Sequence, residues 1–234
     1  TGTLRLRRED EGRDHTPTHT HALWTLRSKT GGTTLLFRDP RRFGGLRALQ
    51  SPAALDTHWQ ELGPDALAIT GDELKARLRG SRALKPTLLD QRVIAGVGNI
   101  YADEALFLAG IHPTRRVSSL RPSEIVRLAD SIRSVLKASI QAGGTTLRDY
   151  ADAVGRPGGF QASHRVYARG GLPCALCGTP LRTILLAQRS TTFCNTCQPV
   201  RTPKAEASTP NPHPKLVKSP GHQTRQARAL QTRV

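Results

Sequence analysis

Residues 174–197 read CALCGTPLRTILLAQRSTTFCNTC and contain all four cysteines of the 234-residue chain. The cysteines form two C-x-x-C pairs, Cys174 with Cys177 and Cys194 with Cys197, separated by sixteen residues. This spacing suits tetrahedral coordination of one metal ion by four thiolates. Two disulfide bonds are the alternative, which an intracellular chain disfavours. The sequence therefore predicts one structural Zn²⁺ ion.

The residues between the two pairs predict a β-hairpin. Leu181–Leu186 and Thr191–Phe193 are candidate strands around a tip at Ala187–Ser190. A hairpin of this size depends on its metal for stability, so the metal would also fix what the tip presents. Arg189 lies at this predicted tip as a candidate contact for an anion, and a merely solvated arginine is the alternative.

The charge balance indicates a polyanionic partner. The chain has 35 Lys and Arg against 18 Asp and Glu, a net charge of +17, which exceeds what solubility requires. Residues 199–234 hold seven of the basic residues and one Glu, so this tail does not explain the whole excess. Nucleic acid is the first expectation, and a solvated basic surface is the alternative. The tail itself has few large apolar residues and is expected to be disordered.

The first 50 residues predict β-structure, and the following region predicts helices. Ala22–Leu26 and Thr33–Phe37 read as a hairpin that needs further strands to bury one face. Helical periodicity begins near Asp72. The clearest helix begins at Pro122 and closes before the Gly143-Gly144 pair, and a second is expected at Asn99–Ala109.

Two further motifs suggest contacts with an anion. Gly96 and Gly98 precede the helix at Asn99, where backbone N–H groups and the helix dipole favour phosphate, and Lys85 could add a charge. The alternative is an ordinary glycine turn with Asn99 as a helix cap. In Arg38-Asp39-Pro40-Arg41-Arg42-Phe43-Gly44-Gly45, an aromatic flanked by arginines could wedge into a base stack. A core role for Phe43 is locally as good an interpretation.

Together these motifs resemble the formamidopyrimidine-DNA glycosylases and their endonuclease VIII relatives. The resemblance covers nearly all of residues 1–198 and rests on segments that occur in the family's order. They are Asp39–Gly45, Leu62-Gly63-Pro64, Leu84–Glu104, Gly110-Ile111-His112-Pro113, Gly143-Gly144-Thr145-Thr146-Leu147 and the cysteine pairs.

The resemblance implies an α+β protein of several parts. Residues 1–50 would be the remainder of an N-terminal β-sandwich, and 51–66 would be an interdomain linker. Residues 67–160 would form a helix–two-turn–helix domain, 172–198 a β-hairpin zinc finger, and 199–234 a disordered basic tail. Residues 152–167 resemble the family's mobile loop that closes over a flipped base.

The activity implied is base-excision repair of oxidised purines such as 8-oxoguanine and formamidopyrimidines, followed by cleavage at the abasic site. The family's nucleophile is an N-terminal proline, assisted by a glutamate and a lysine. None of the three is assigned here, and Thr1-Gly2-Thr3-Leu4 resembles a segment downstream of them. The chain contains no Met and is expected to be an N-terminally truncated fragment or a mis-started product that binds DNA without the chemistry.

The resemblance also assigns site residues and partners. The expected DNA contacts are His19, Arg41, Phe43, Lys85, Asn99 and Arg189, of which Arg189 would also act in the elimination step. The expected partner is damaged double-stranded DNA, bound by a monomer in the bacterial cytoplasm, with no membrane association. Two alternatives remain open, namely a noncatalytic zinc-dependent DNA-binding protein and a zinc-ribbon protein that binds RNA.

Overall fold

The computed structural model describes residues 2–8, 16–28, 31–147 and 150–200. Within these ranges it contains a three-stranded sheet, five α-helices and a two-stranded hairpin, which confirms the predicted α+β fold. The elements are β1 Thr3–Arg8, β2 Thr20–Ser28, β3 Gly31–Arg38, α1 Pro52–Trp59, α2 Gly71–Arg77, α3 Leu84–Leu88, α4 Asn99–Ala109, α5 Pro122–Gln141, β4 Arg182–Leu186 and β5 Arg189–Phe193. The tail predicted at 199–234 lies, from 201 onward, outside the described residues.

The three-stranded sheet has β3 at its centre, paired antiparallel with β1 and with β2. The pairing of β2 with β3 confirms the hairpin predicted from the sequence. One face carries four large apolar side chains that are 37% to 50% exposed, namely Leu4, Leu6, Trp24 and Leu26. No second sheet covers this face in the described part of the chain. The described residues therefore show one layer of the expected sandwich.

The segment predicted as a linker, residues 51–66, includes α1. Ser51 caps the helix by accepting a hydrogen bond from the Ala54 amide at 3.2 Å, and Pro52 occupies the first turn, where its fixed φ is compatible with the helix. Nevertheless, α1 has no buried residue. A single cap stabilises a helix by about 1 kcal/mol, so α1 lacks the packing that stabilises most helices in proteins.

The main core lies between α4 and α5. The bounds of α4 agree with the prediction, and Gly110 ends it with φ at 66°, a left-handed conformation that glycine adopts without strain. The apolar side chains along one face of α5 are buried from Ile125 to Leu136, whereas Ile140, which continues the same spacing, is 61% exposed. Helix α3, the turns over 89–98 and α4 form the helix–two-turn–helix. This packing provides a rigid base for the residues at the start of α4.

Candidate metal centre and nucleic-acid interface

The four cysteines converge at the base of the β4–β5 hairpin. Their Sγ atoms all lie within 4.8 Å of one another, and three pairs are separated by 3.5 to 3.8 Å. Tetrahedral coordination at a Zn–S distance of about 2.3 Å needs sulfur–sulfur separations of about 3.8 Å. A disulfide bond needs about 2.05 Å, so the disulfide alternative is wrong. The residues fit one Zn²⁺ ion.

The electrostatics of the cysteine cluster also suit a cation. Burial raises the pKa of the Cys194 and Cys197 thiols, and the neighbouring cysteines raise that of Cys197 further. A hydrogen bond with Thr179 lowers the pKa of Cys177 to about 6. Four thiols so close together cannot all ionise without a compensating charge, and a bound zinc ion supplies it.

The hairpin of the finger turns more tightly than the sequence predicted. The turn consists of Ala187 and Gln188 alone, with φ angles of 47° and 61°, as a two-residue turn with left-handed backbone requires. Arg189 was predicted within the tip, but it is the first residue of β5 and pairs with Leu186. Its side chain is exposed, so it is held by strand pairing while remaining accessible.

Lys85 was predicted to contact a phosphate, and the structure corrects this prediction. The residue is 0% exposed. Its Nζ donates hydrogen bonds to the Ser190 carbonyl at 2.8 Å and to Thr191 Oγ1 at 2.9 Å. It also lies 2.7 Å from Asp103 Oδ1. The amino group therefore has two hydrogen bonds and an ion-pair partner within the protein, and it is enclosed rather than exposed to DNA.

The buried Lys85–Asp103 pair has shifted pKa values. Burial lowers the pKa of Lys85, and Asp103 opposes this in part. Burial likewise raises the pKa of Asp103 to about 6 against the opposing effect of Lys85. Both shifts have the same cause, because a low-dielectric environment disfavours charge.

Asn99 is the first residue of α4, and Gly98 is the cap. The alternative in which Asn99 caps the helix is therefore wrong. Its Nδ2 atom donates to the Ser190 carbonyl at 3.2 Å, the same oxygen that Lys85 contacts. The structure thus brings Lys85, Asn99 and the residue after Arg189 together, although they are far apart in sequence.

Gln91 orders the glycine loop before α4, and sequence reasoning did not find it. Its Oε1 accepts a hydrogen bond from the Gly96 amide at 2.9 Å, and its Nε2 donates to the Val97 carbonyl at 3.1 Å. Gly96 has a φ of 98°, which side-chain-bearing residues rarely adopt. A glutamine five residues before a glycine gives no recognisable local signal.

The turn from Asp39 to Gly45 projects an arginine and an aromatic side chain. Asp39 is 1% exposed and accepts hydrogen bonds from the amides of Arg41 at 3.3 Å and Gly44 at 2.6 Å. Arg41 is exposed, and Phe43 is 79% exposed. The interpretation of Phe43 as a core residue is therefore wrong, and a buried carboxylate presents it to solvent.

His19 lies beside this turn. Its carbonyl accepts a hydrogen bond from the Asp39 amide at 3.0 Å, and its side chain is exposed with φ at 65°. The expected contact residues therefore fall into two groups. His19, Arg41 and Phe43 surround the Asp39 turn, whereas Asn99 and Arg189 lie around the Ser190 carbonyl.

Residues 160–167, within the segment expected to be a mobile loop, are anchored to α4. The Glu104 carboxylate is buried and accepts hydrogen bonds from the amides of Arg165, Val166 and Tyr167 at 2.9 to 3.0 Å. Phe160 is also buried. The exposed residues of this segment are 153–157, Gly159 and 161–163, whereas the stretch bound by Glu104 is buried or half-buried. Sequence reasoning did not assign Glu104 this role.

Comparisons with known proteins agree with this architecture. Residues 62–151 match the model of the formamidopyrimidine-DNA glycosylase H2TH domain, and residues 171–200 match the zinc finger found in FPG and IleRS. The chain is thus a helix–two-turn–helix protein with a zinc finger. Within the described ranges, no helix has the length and apolar character needed to cross a bilayer.

Relatives and solved structures define the family. The chain is 47% identical over 203 residues to a formamidopyrimidine-DNA glycosylase of Herpetosiphon aurantiacus, covering 85% of this chain and 71% of the relative. The corresponding protein of Nitratidesulfovibrio vulgaris is 46% identical over 182 residues, covering 77% of this chain but 49% of that relative. The chain belongs to the formamidopyrimidine-DNA glycosylase family.

Solved structures of the family superpose on a similar share of the chain. The crystal structure of the MutM (Fpg) protein from Thermus thermophilus superposes with a TM-score of 0.72 at 42% identity, covering 85% of this chain and 72% of that one. A Lactococcus lactis Fpg in complex with abasic-site DNA gives a TM-score of 0.72 at 35% identity, with the same coverage.

Proposed function

We propose that these 234 residues bind damaged double-stranded DNA, as a monomer in the bacterial cytoplasm, within base-excision repair of oxidised purines. The proposal rests on two groups of exposed side chains, one at the Asp39 turn and one near the Ser190 carbonyl. Phe43 and Arg41 project from a turn held by a buried carboxylate, and Arg189 projects from a strand anchored on α4. Rigid aromatic and guanidinium groups of this kind suit a kinked duplex that has lost a base.

The net charge of +17 supports a nucleic-acid partner, because clustered basic residues replace the counterions of the phosphate backbone. The Lactococcus lactis relative was solved with abasic-site DNA. The similarity to that structure covers 85% of this chain at 35% identity. These observations favour duplex DNA over the RNA-binding alternative.

We further propose that this form binds damaged DNA without cutting it. The family resemblance assigns the nucleophile to an N-terminal proline, and neither that proline nor its glutamate and lysine partners is assigned among the 234 residues. Arg189 would retain its part in the elimination step only where a Schiff base is formed. The second candidate is a noncatalytic zinc-dependent DNA-binding protein. It differs from the leading proposal because it would bind damaged and undamaged duplexes equally well.

The test is equilibrium binding of the chain to matched duplexes, one with a central abasic-site analogue and one undamaged, at two salt concentrations. We expect about tenfold tighter binding to the abasic duplex, since inserting a wedge costs less where a base is missing. Phe43→Ala should abolish the preference. Trp59→Ala, which removes another exposed aromatic, should leave it intact.

Equal affinity for both duplexes would refute damage recognition and favour the noncatalytic alternative. Tighter binding to single-stranded RNA would favour the RNA-binding one. In parallel, borohydride reduction of the chain on a natural abasic site should give no covalent adduct. An adduct would show that another amine takes the place of the family's proline.

A further inference from the structure

The Lys85–Asp103 ion pair is almost fully buried, and burial of an ion pair does not by itself stabilise a fold. The two side chains are 0% and 1% exposed. Removing two charges from water costs several kcal/mol each, and apolar replacements of similar size are often as stable. A pair retained at such a cost is best understood from what else its atoms hold.

Both members of the pair also bind β5. Lys85 Nζ donates to the Ser190 carbonyl and to Thr191 Oγ1. Asp103 Oδ2 accepts a hydrogen bond from the Thr192 amide at 3.1 Å. Thr191 and Thr192 are themselves 0% and 4% exposed. Ser190, Thr191 and Thr192, three consecutive residues of β5, are thus held against α3 and α4 by the Lys85–Asp103 ion pair.

The residue immediately before this anchored run is Arg189. Asn99 Nδ2 also donates to the Ser190 carbonyl, so two donors from the helix–two-turn–helix fix the peptide group between Ser190 and Thr191, one residue beyond Arg189. Arg189 is also close enough to act on the pair electrostatically, because its positive charge contributes to lowering the pKa of Lys85. An anchored backbone limits where the exposed guanidinium can reach.

We propose that Lys85 and Asp103 are positioning residues that hold Arg189 for contact with a DNA phosphate. The inference rests on the proposed function, since it names what aligns one of its contacts. In this arrangement neither member of the pair touches DNA. The pair transmits the position of α3 and α4 to the zinc-finger hairpin through the Ser190 and Thr192 peptide groups.

The experiment is a mutant cycle that combines replacement of the pair with Arg189→Ala, carried out on the whole chain with zinc bound. Lys85→Met/Asp103→Leu removes both charges without leaving one unpaired. We expect it to fold with a full complement of zinc and a near-normal Tm, but to bind the abasic duplex about tenfold more weakly, as loss of one charged hydrogen bond predicts. Arg189→Ala should cost about tenfold in the wild type and less than about threefold in the double variant, because contacts in one network are not additive.

A full tenfold effect of Arg189→Ala in both backgrounds would overturn the proposal, because the pair would then be purely structural. If the double variant fails to fold, Thr191→Val serves instead. It removes one Lys85 partner, and Thr191→Ser, which keeps the hydroxyl, is the control. Thr191→Val should weaken binding of the abasic duplex more than Thr191→Ser, and equal effects would contradict the inference.

Hydrogen exchange of the Thr192 amide separates this inference from the proposed function, since it requires no DNA. The amide should exchange faster in the double variant, and an unchanged rate would overturn the anchoring role. If the wild type shows no preference for abasic DNA, the proposed function fails while the anchoring of β5 is still measured by this exchange.

Discussion

At the scale of single residues, the exposed contacts depend on polar side chains behind them. Asp39 shapes the turn that presents Phe43, and Gln91 shapes the loop before Asn99. A Cβ at Gly44 would lie 3.0 Å from Asp39 Oδ2, so a larger residue there would press on this carboxylate. The exposed residue alone therefore does not define the contact, because its supporting hydrogen bonds determine where it points.

Gln91→Ala tests this support. Losing the hydrogen bonds to Gly96 and Val97 should disorder the loop and weaken DNA binding by about three- to tenfold, at about 1 kcal/mol per bond. The loss should be equal for abasic and undamaged duplexes, since phosphate contacts carry no lesion information. Gln141→Ala, on an exposed position of α5, is the control in the same binding titration. A loss confined to abasic DNA would contradict this role.

His164 gives a prediction about pH. The residue is 7% exposed, and burial lowers its pKa below the ordinary value of 6.5 with only partial opposition from Glu104. A lowered pKa in the folded state means that the unfolded state binds the proton more tightly. The stabilising contribution is therefore complete above pH 6.5 and declines as the pH falls below it.

Thermal unfolding of wild type and His164→Gln between pH 7.5 and 5.5 measures this contribution. The Tm of the wild type should fall more than that of the variant over this range. Zinc content is followed at each pH, so that loss of metal is not mistaken for protonation of the histidine. Parallel Tm curves at constant zinc would count against the assignment.

At the scale of elements, α5 and the zinc finger are stabilised by different means. The start of α5 is tied to the preceding chain by a buried ion pair, in which Arg115 Nη1 and Nη2 lie 2.6 and 2.9 Å from the Glu124 carboxylate. The zinc finger packs against α4 through a second, small core, formed by Phe107 of α4, Val166, Leu181, Cys174 and Cys194. The finger therefore depends on both its metal and its contact with α4.

Glu124→Gln should destabilise the chain strongly. The Arg115 and Glu124 side chains are 8% and 6% exposed, and breaking a buried pair leaves an uncompensated charge at a cost of about 3 to 5 kcal/mol. Asp130→Asn removes the partner of Arg133 at the surface, where a pair contributes about 0 to 1 kcal/mol. Urea unfolding of both variants makes the comparison. Similar midpoints would refute the distinction.

Removing zinc should unfold the finger and spare the helices. A chelator, or Cys197→Ser, should reduce the affinity for abasic DNA to that of Arg189→Ala or below. The reason is that the strand carrying Arg189 loses the metal site that holds the hairpin. The far-UV circular dichroism of α4 and α5 should change little, and added Zn²⁺ should restore binding after chelation. Retention of full affinity without metal would show that contact with α4 suffices.

At the scale of the whole molecule, burial is unevenly distributed. The core between α2, α4 and α5 includes many fully buried apolar side chains, whereas in the β1–β3 sheet the buried apolar side chain is Leu36. Exposed apolar faces and strand edges favour association between chains. The helical region should therefore be the most stable part of the described chain.

Native-state hydrogen exchange tests this unevenness. Amides of β1, β2 and β3 should exchange at least about a hundredfold faster than those of α4 and α5, because local opening follows the density of buried contacts. Equal protection of sheet and helices would show that something covers the exposed apolar face of the sheet.

The sequence by itself determined the elements whose signals are local. The two C-x-x-C pairs predicted a zinc site that the sulfur positions fit, and Gly110 and Pro122 marked ends of α4 and α5 that the structure confirms. Such features depend on residues a few positions apart, where backbone geometry alone relates spacing to structure. The exposure of Phe43 was open at this level, because a wedge and a core residue have the same local pattern.

The tertiary structure decided the roles of residues whose partners are distant in sequence. Lys85 reads as an exposed basic residue, yet it is buried against Ser190 and Thr191, which lie 105 and 106 positions away. Glu104 likewise holds amides more than 60 positions away. A charged side chain in a helix has the same local pattern whether it faces solvent or a buried partner. Which of the two it faces depends on how α3, α4 and the finger pack together, since burial and partner arise only from that packing.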